Sequence, residues 1–240
     1  MKHGKKELTT PQQAWDIATI IYRMSLKMPK GFGNSVLHSN ASQKKFIKGV
    51  MSLYYKFQKI EMLINFYQEV YGKDVSFIRD MQFPEKQGMS AYMLILSCMT
   101  EDDYIEGAEK YFGVSSQKYQ SPITENINHA EQDRIQPRPS GNYIFAYTGL
   151  TEVDTNHLGK SYDDMVNSGV KFATIKEYCA METFHKFSTG EWMSVKDRTI
   201  TATLWSFGSV VVGRSSYFIW AGCAPTKHEP DSGPREIVLD

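Results

Sequence analysis

Apolar residues recur along residues 42–72 at intervals of four and three: Phe46, Val50, Leu53, Phe57, Ile60, Ile64, Tyr67 and Tyr71. A seven-residue apolar repeat without polar interruption predicts one long helix with one buried face. Gly72 follows it, where a left-handed cap is best made by a residue with no side chain. Ile47, Met51 and Tyr54 widen the stripe, which predicts packing among several helices of one module rather than a two-stranded coiled coil. Upstream, Thr10 and Pro11 read as an N-cap and first helical residue, followed by Trp15, Ile17, Ile20, Ile21, Met24 and Met28 and a stop at Pro29. Residues 89–99 are apolar almost all round and predict a helix in the middle of a bundle. Thr100 and the three acids after it open another helix that Gly113 closes, and Ser121–Pro122 starts one running to about Ile135.

The period changes after residues 136–141, a Gln-Pro-Arg-Pro-Ser-Gly stretch that reads as a linker. Tyr143, Phe145 and Tyr147 alternate as in a strand. A short helix is predicted over 161–167, ending at Gly169. Thr174 and Glu177 form a capping box for a longer one that carries Ile175, Tyr178, Met181, Phe184 and Phe187 to Gly190. Short strands follow at 199–205, 210–212, 217–220 and 236–239, punctuated by glycines. The expectation is an α+β chain in two parts: an N-terminal helical bundle over 8–135, and a small α+β module over 142–240 beyond the linker.

The order of the second module is strand, short helix, longer helix, short strands and terminal strand. It resembles the C-type-lectin-like fold, including relatives of the sulfatase-modifying-factor type. Lys160 to Gly169 looks like that family's first helix, and Phe172 to Glu177 like the entry into its second. The resemblance implies that 143–147 and 236–239 pair, bringing the module's ends together, and that ligands are bound by variable loops. The paired cysteines of the animal lectins, a WND calcium triplet and the paired reactive cysteines of the formylglycine-generating enzymes are all missing here. Neither metal binding nor family-type catalysis is carried over.

Formal net charge is zero, but residues 1–60 carry 11 Lys+Arg against 2 Asp+Glu, while residues 61–134 carry 6 against 13. The basic front allows an alternative reading as a nucleic-acid contact through Lys44, Lys45, Lys48, Lys56 and Lys59. Three scattered cysteines, Cys98, Cys179 and Cys223, make neither a disulfide framework nor a zinc ribbon and suit a reducing compartment. With no secretory h-region and no bilayer-length apolar run, the expectation is a cytoplasmic protein without membrane association.

Candidate chemistry is sparse. Glu182 and His185 have the i, i+3 spacing of di-iron helices but no second copy. Asp154 and His157 in a loop could serve acid–base chemistry in a hydrolase or transferase, yet no GxSxG motif accompanies them. No metal or cofactor is expected. The dense aromatic set Trp192, Trp205, Phe207, Tyr217, Phe218 and Trp220, with Arg214 nearby, makes a better anchor for a ligand. The sequence therefore reads as a non-enzymatic protein that binds a protein or small molecule through Arg214, Tyr217 and Trp220.

Overall fold

The computed structural model describes residues 40–114, 127–150, 152–193, 198–205, 208–213, 219–228 and 230–239. The predicted stripe from Trp15 to Met28 lies outside them. Within the described residues the chain is mixed α+β, with five α-helices and two small sheets. No helix among them is long and apolar enough to cross a membrane.

The predicted long helix is present as α1, Asn40–Tyr71. It ends as its sequence requires: Gly72 turns left-handed at φ 64°, its N–H bonds Gln68 O at 3.2 Å and Lys73 N–H reaches Tyr67 O at 3.1 Å. The buried face overlaps the expected stripe at Ile60 and Tyr67, with Ile64 and Tyr71 half-buried, but is turned away from it. Phe57 is 38% exposed, whereas Leu63 and Phe66, both off the stripe, are buried with Tyr67 and Val70. A straight helix of 3.6 residues per turn drifts by about 20° per heptad against a seven-residue repeat. Phe66 then gathers a ring cluster, packing edge-on to Tyr67, Tyr71, Phe184 and Phe187 with centroids 5.2–5.4 Å away.

Compact packing divides the chain between Ile60 and Glu61, inside α1, and not at 136–141. The second unit explains why the expected joint is no boundary. Residues 91–95 are not a bundle helix but a strand, β1 (Ala91–Ile95), and it pairs antiparallel with β2 (Tyr143–Tyr147) from Ala91 opposite Tyr147 to Ile95 opposite Tyr143. A short apolar run buried on both faces cannot be told from a buried helix by periodicity. The strand β7 (Ile237–Val238) pairs with the other side of β2, Ala146 opposite Val238 and Tyr147 opposite Ile237. These two residue pairs join the segments 143–147 and 236–239 and complete a sheet of order β1-β2-β7, while Glu236 bridges Phe172 instead.

The helix α2 (Glu101–Phe112) follows β1. Its Thr100–Asp103 capping box satisfies the first turn, and Gly113 caps it at φ 64°. The helix predicted from Ser121 to about Ile135 begins later than expected: α3 (His129–Ile135) is capped by Asn128, and Ile127 before it lies in a β-bridge, while 121–126 fall outside the described residues. Two more capping boxes start α4 (Tyr162–Asn167) at Ser161 and α5 (Ile175–Thr189) at Thr174. The second sheet has order β5-β4-β3-β6, built from β3 (Arg198–Trp205), β4 (Gly208–Gly213), β5 (Ile219–Cys223) and β6 (Ser232–Pro234). Only β3 and β6 run parallel.

The helix buried all round is α5. It packs against α2, β1 and β3, and so touches both sheets, with Glu177 through Phe184 buried without interruption. Beside it, Ile200, Ala202 and Leu204 of β3 form a core cluster with Tyr162, Met165 and Phe172. The segment 136–141 is tied into this body. Gln136 Nε2 donates to Val170 O at 2.9 Å, and Arg138 reaches Glu177 on α5 at 2.8 Å.

Candidate functional site

Of the residues expected at an aromatic binding face, Trp220 lies on β5, opposite Val212 of β4. That strand is at one edge of the four-stranded sheet. Arg214 and Tyr217 lie outside the described residues. The expected basic residues Lys44, Lys45, Lys48, Lys56 and Lys59 all lie on α1. Lys48 is exposed, and Lys56 and Lys59 are half-buried. At 100° per residue, positions 45, 48, 56 and 59 share one side of the helix and span about 21 Å.

A cleft of about 750 Å³ opens between the last turn of α1 and one face of α2. The first wall is Gln68 to Lys73; the second is Asp103, Glu106, Gly107, Lys110 and Tyr111; Cys98 and Met99 complete the lining. The residues of the second wall recur at helical spacing, three or four apart, on one face of α2. Two contacts set how the walls meet. Tyr111 Oη donates to Glu69 Oε2 at 3.0 Å, and that carboxylate raises the Tyr111 hydroxyl above its ordinary pKa. The Tyr71 ring lies against Gly107, so near that a β-carbon there would fall 2.3 Å from it. Cys98 is a free, exposed thiol.

The Asp154–His157 pair does not form through side chains. Asp154 accepts from Glu236 N–H at 2.6 Å and Thr148 Oγ1 at 3.3 Å, and burial raises its pKa. It fastens the Glu236 backbone, while His157 N–H bonds only the Asp154 backbone carbonyl, at 2.9 Å. The His157 ring instead sits 3.2 Å from Lys160 Nζ and 3.9 Å from Glu236 Oε2. Glu182 and His185 diverge as well. Glu182 is buried and accepts from Tyr178 Oη at 3.0 Å; burial lifts its pKa to about 8 against the opposing pull of Arg235. His185 is half-buried, and its pKa is lowered by desolvation. Among the described residues no three metal-ligating side chains lie together.

The polar cluster that sequence reasoning missed is Arg138–Glu177–Tyr143. Arg138 Nε and Nη2 grip Glu177 at 2.8 and 3.1 Å, and Tyr143 Oη donates to the same carboxylate at 2.9 Å. The side chains of the ion pair are 7% and 0% exposed. Burial opposes the Arg138 charge, and Glu177 more than restores it, leaving the guanidinium pKa raised. Arg138 lies 39 positions from Glu177 and Tyr143 lies 34, so neither carries a local signal of this contact. Gly107 was equally silent, because its role depends on Tyr71. No protein-family model matches the chain, and no curated protein or solved structure matches it either.

Proposed function

We propose that this is a non-enzymatic recognition protein. Its α+β portion is arranged like a C-type-lectin-like domain and takes a protein or small-molecule ligand at the aromatic face around Arg214, Tyr217 and Trp220. The observation that carries the reading is the pairing of β2 with β7, which brings Ala146 and Tyr147 beside Val238 and Ile237. The succession of α4, α5 and short strands supports it. The edge position of β5 supports the choice of face, since an edge strand is accessible to a partner. Free thiols at Cys98 and Cys179 fit a cytoplasmic setting. The test is a screen of immobilised glycans and peptides with wild type, Tyr217→Ala and Trp220→Ala, with folding followed by circular dichroism. Ligands held by wild type and lost by both folded variants support the reading; ligands held equally by all three remove the face from consideration.

A second reading has its own observation: Lys45, Lys48, Lys56 and Lys59 share one side of a continuous helix. Such a stripe would contact nucleic-acid phosphates, and binding would weaken steeply with salt. A mobility shift at low salt that disappears on changing Lys45 and Lys48 to Gln supports it; no retardation of DNA or RNA at low salt ends it.

A further inference from the structure

Four titratable side chains, Lys86, Glu236, His157 and Lys160, stand in a row where the 154–160 loop meets Glu236. Glu236 Oε1 holds the Lys86 ammonium, and its Oε2 lies 3.9 Å from His157 Nε2. The other ring nitrogen, Nδ1, lies 3.2 Å from Lys160 Nζ. An ammonium has only donors, so Nδ1 accepts, and the neutral ring carries its proton on Nε2, toward Glu236. The ion pairs of the described residues do not include Lys160; Asp164 acts on it from farther away. A lysine that serves only as a counter-charge faces a carboxylate, whereas Lys160 faces a base.

The backbone around these groups is fixed. Buried Asp154 accepts from Glu236 N–H at 2.6 Å. Its carbonyl accepts from His157 N–H at 2.9 Å, and Gly159 N–H reaches Ser232 O at 2.8 Å. Arg235, 2% exposed, donates to Leu150 O and Glu152 O, both at 2.9 Å. A loop clamped at this many points holds its side chains in place before any ligand arrives. The row is also reachable from solvent: the side chains of His157 and Glu236 are 14% and 24% exposed, and Lys160 is half-buried.

We propose that Lys160 captures a small aldehyde or ketone as an imine, with His157 as the base that frees its amine. His157 Nδ1 takes one proton from the Lys160 ammonium, and Glu236 offsets the charge of the imidazolium. Nζ then bonds to the carbonyl carbon, and a second proton passes from nitrogen to the carbonyl oxygen, giving a carbinolamine. The imidazolium returns its proton to that hydroxyl, which leaves as water while the nitrogen lone pair forms the C=N bond. The sum is ammonium and carbonyl to protonated imine and water; nothing is oxidised or reduced, and the ring ends neutral. A nucleophile, a base within hydrogen-bond reach and a third group beside the base are the parts this chemistry needs. Imine formation reverses with water, so the site captures its ligand without turnover. It shares no residue with the aromatic face of β5, so each stands or falls without the other.

The experiment treats the full chain with benzaldehyde and sodium cyanoborohydride, which reduces an imine to a stable secondary amine, and maps the labelled lysines by mass spectrometry. Lys160 should be labelled at least about tenfold faster than the exposed Lys48 and Lys110, a modest share of what a positioned base contributes. His157→Asn keeps an acceptor near the place of Nδ1 but cannot take the proton. In that variant, with its circular dichroism unchanged, Lys160 should fall to the rate of the two reference lysines. Ring nitrogen shifts of His157 in the wild type should place its proton on Nε2. Labelling of Lys160 no faster than of Lys48 and Lys110, an undiminished rate in folded His157→Asn, or a proton on Nδ1 would overturn the proposal. Comparing lysines within the wild type needs no variant to fold.

Discussion

The ring of Tyr71 rests on Gly107 at a distance that admits no side chain: a β-carbon there would lie 2.3 Å from one ring carbon and 2.4 Å from another. The same ring packs edge-on to Phe66 at 5.4 Å and Tyr104 at 5.3 Å. It cannot yield to a methyl group without losing both. In an open helix, glycine to alanine gains about 1 kcal/mol. Here Gly107→Ala should instead destabilise by about 1–3 kcal/mol, the range for overpacking. Tyr71→Ala should relieve the clash, so the double variant should be more stable than the two single effects sum to. Urea denaturation of the four proteins measures this; additive effects would show that the contact carries no energy.

Arg138→Met should be the most damaging single change among the polar residues. It leaves the fully buried Glu177 carboxylate without its cation, a loss of about 3–5 kcal/mol. Part of the loss should return in Arg138→Met/Glu177→Leu, but not all, because Glu177 also accepts from Thr174 N–H at 2.6 Å at the start of α5. The readout is the denaturation midpoint. A loss below about 1 kcal/mol, the scale of a surface ion pair, would contradict the burial of this one.

Two tyrosine hydroxyls meet the outer edge of β1. Tyr67 Oη donates to Leu94 O, Tyr104 Oη accepts from Leu96 N–H at 3.0 Å, and the two hydroxyls are 3.3 Å apart. Burial, more than their mutual charge, pushes the Tyr67 pKa well up, and burial sets that of Tyr104 at about 12. Both remain neutral at ordinary pH. Tyr104→Phe should cost about 1–3 kcal/mol by orphaning a buried N–H. Hydrogen exchange at Leu96 should accelerate; unchanged protection there would mean that another group takes the bond.

Glu182 gives the fold a pH dependence of definite sign. Its pKa is about 8 in the native chain against an ordinary 4.5, so between those values the native state holds a proton that the unfolded state has lost. Stability therefore falls as pH rises from about 4.5 to about 8 and levels off above. The contribution is on the order of a few kcal/mol. Glu182→Gln should flatten that fall. Unfolding free energies at pH 5 and pH 8 for both proteins are the check, and parallel slopes would assign the dependence elsewhere.

Local chemistry was legible in the sequence and tertiary partnership was not. Thr174 with Glu177, Thr100 before three acids, and Gly72, Gly113 and Gly190 at helix ends each state a capping geometry within four residues, and each is present. So is α1, because a long stripe is repeated evidence for one period. Residues 91–95 failed because an apolar run of strand length has no period to read, and its partner β2 lies some fifty residues away. The alternation of threonine with Ile200, Ala202 and Leu204 revealed β3. It did not reveal that Thr199, Thr201 and Thr203 are fully buried as well, with Thr203 Oγ1 accepting from Ile175 N–H at 2.8 Å on α5.

By itself the sequence determined the helix ends at Gly72, Thr100, Gly113, Thr174 and Gly190, since caps and left-handed turns depend on atoms a few bonds apart. Only the tertiary structure decided which helix is central, that residues 136–141 are bound into the body by Arg138, and that residues 68–73 and one face of α2 line a common cleft. Each of these depends on distances between residues far apart in the chain, which long-range packing sets and no local pattern encodes.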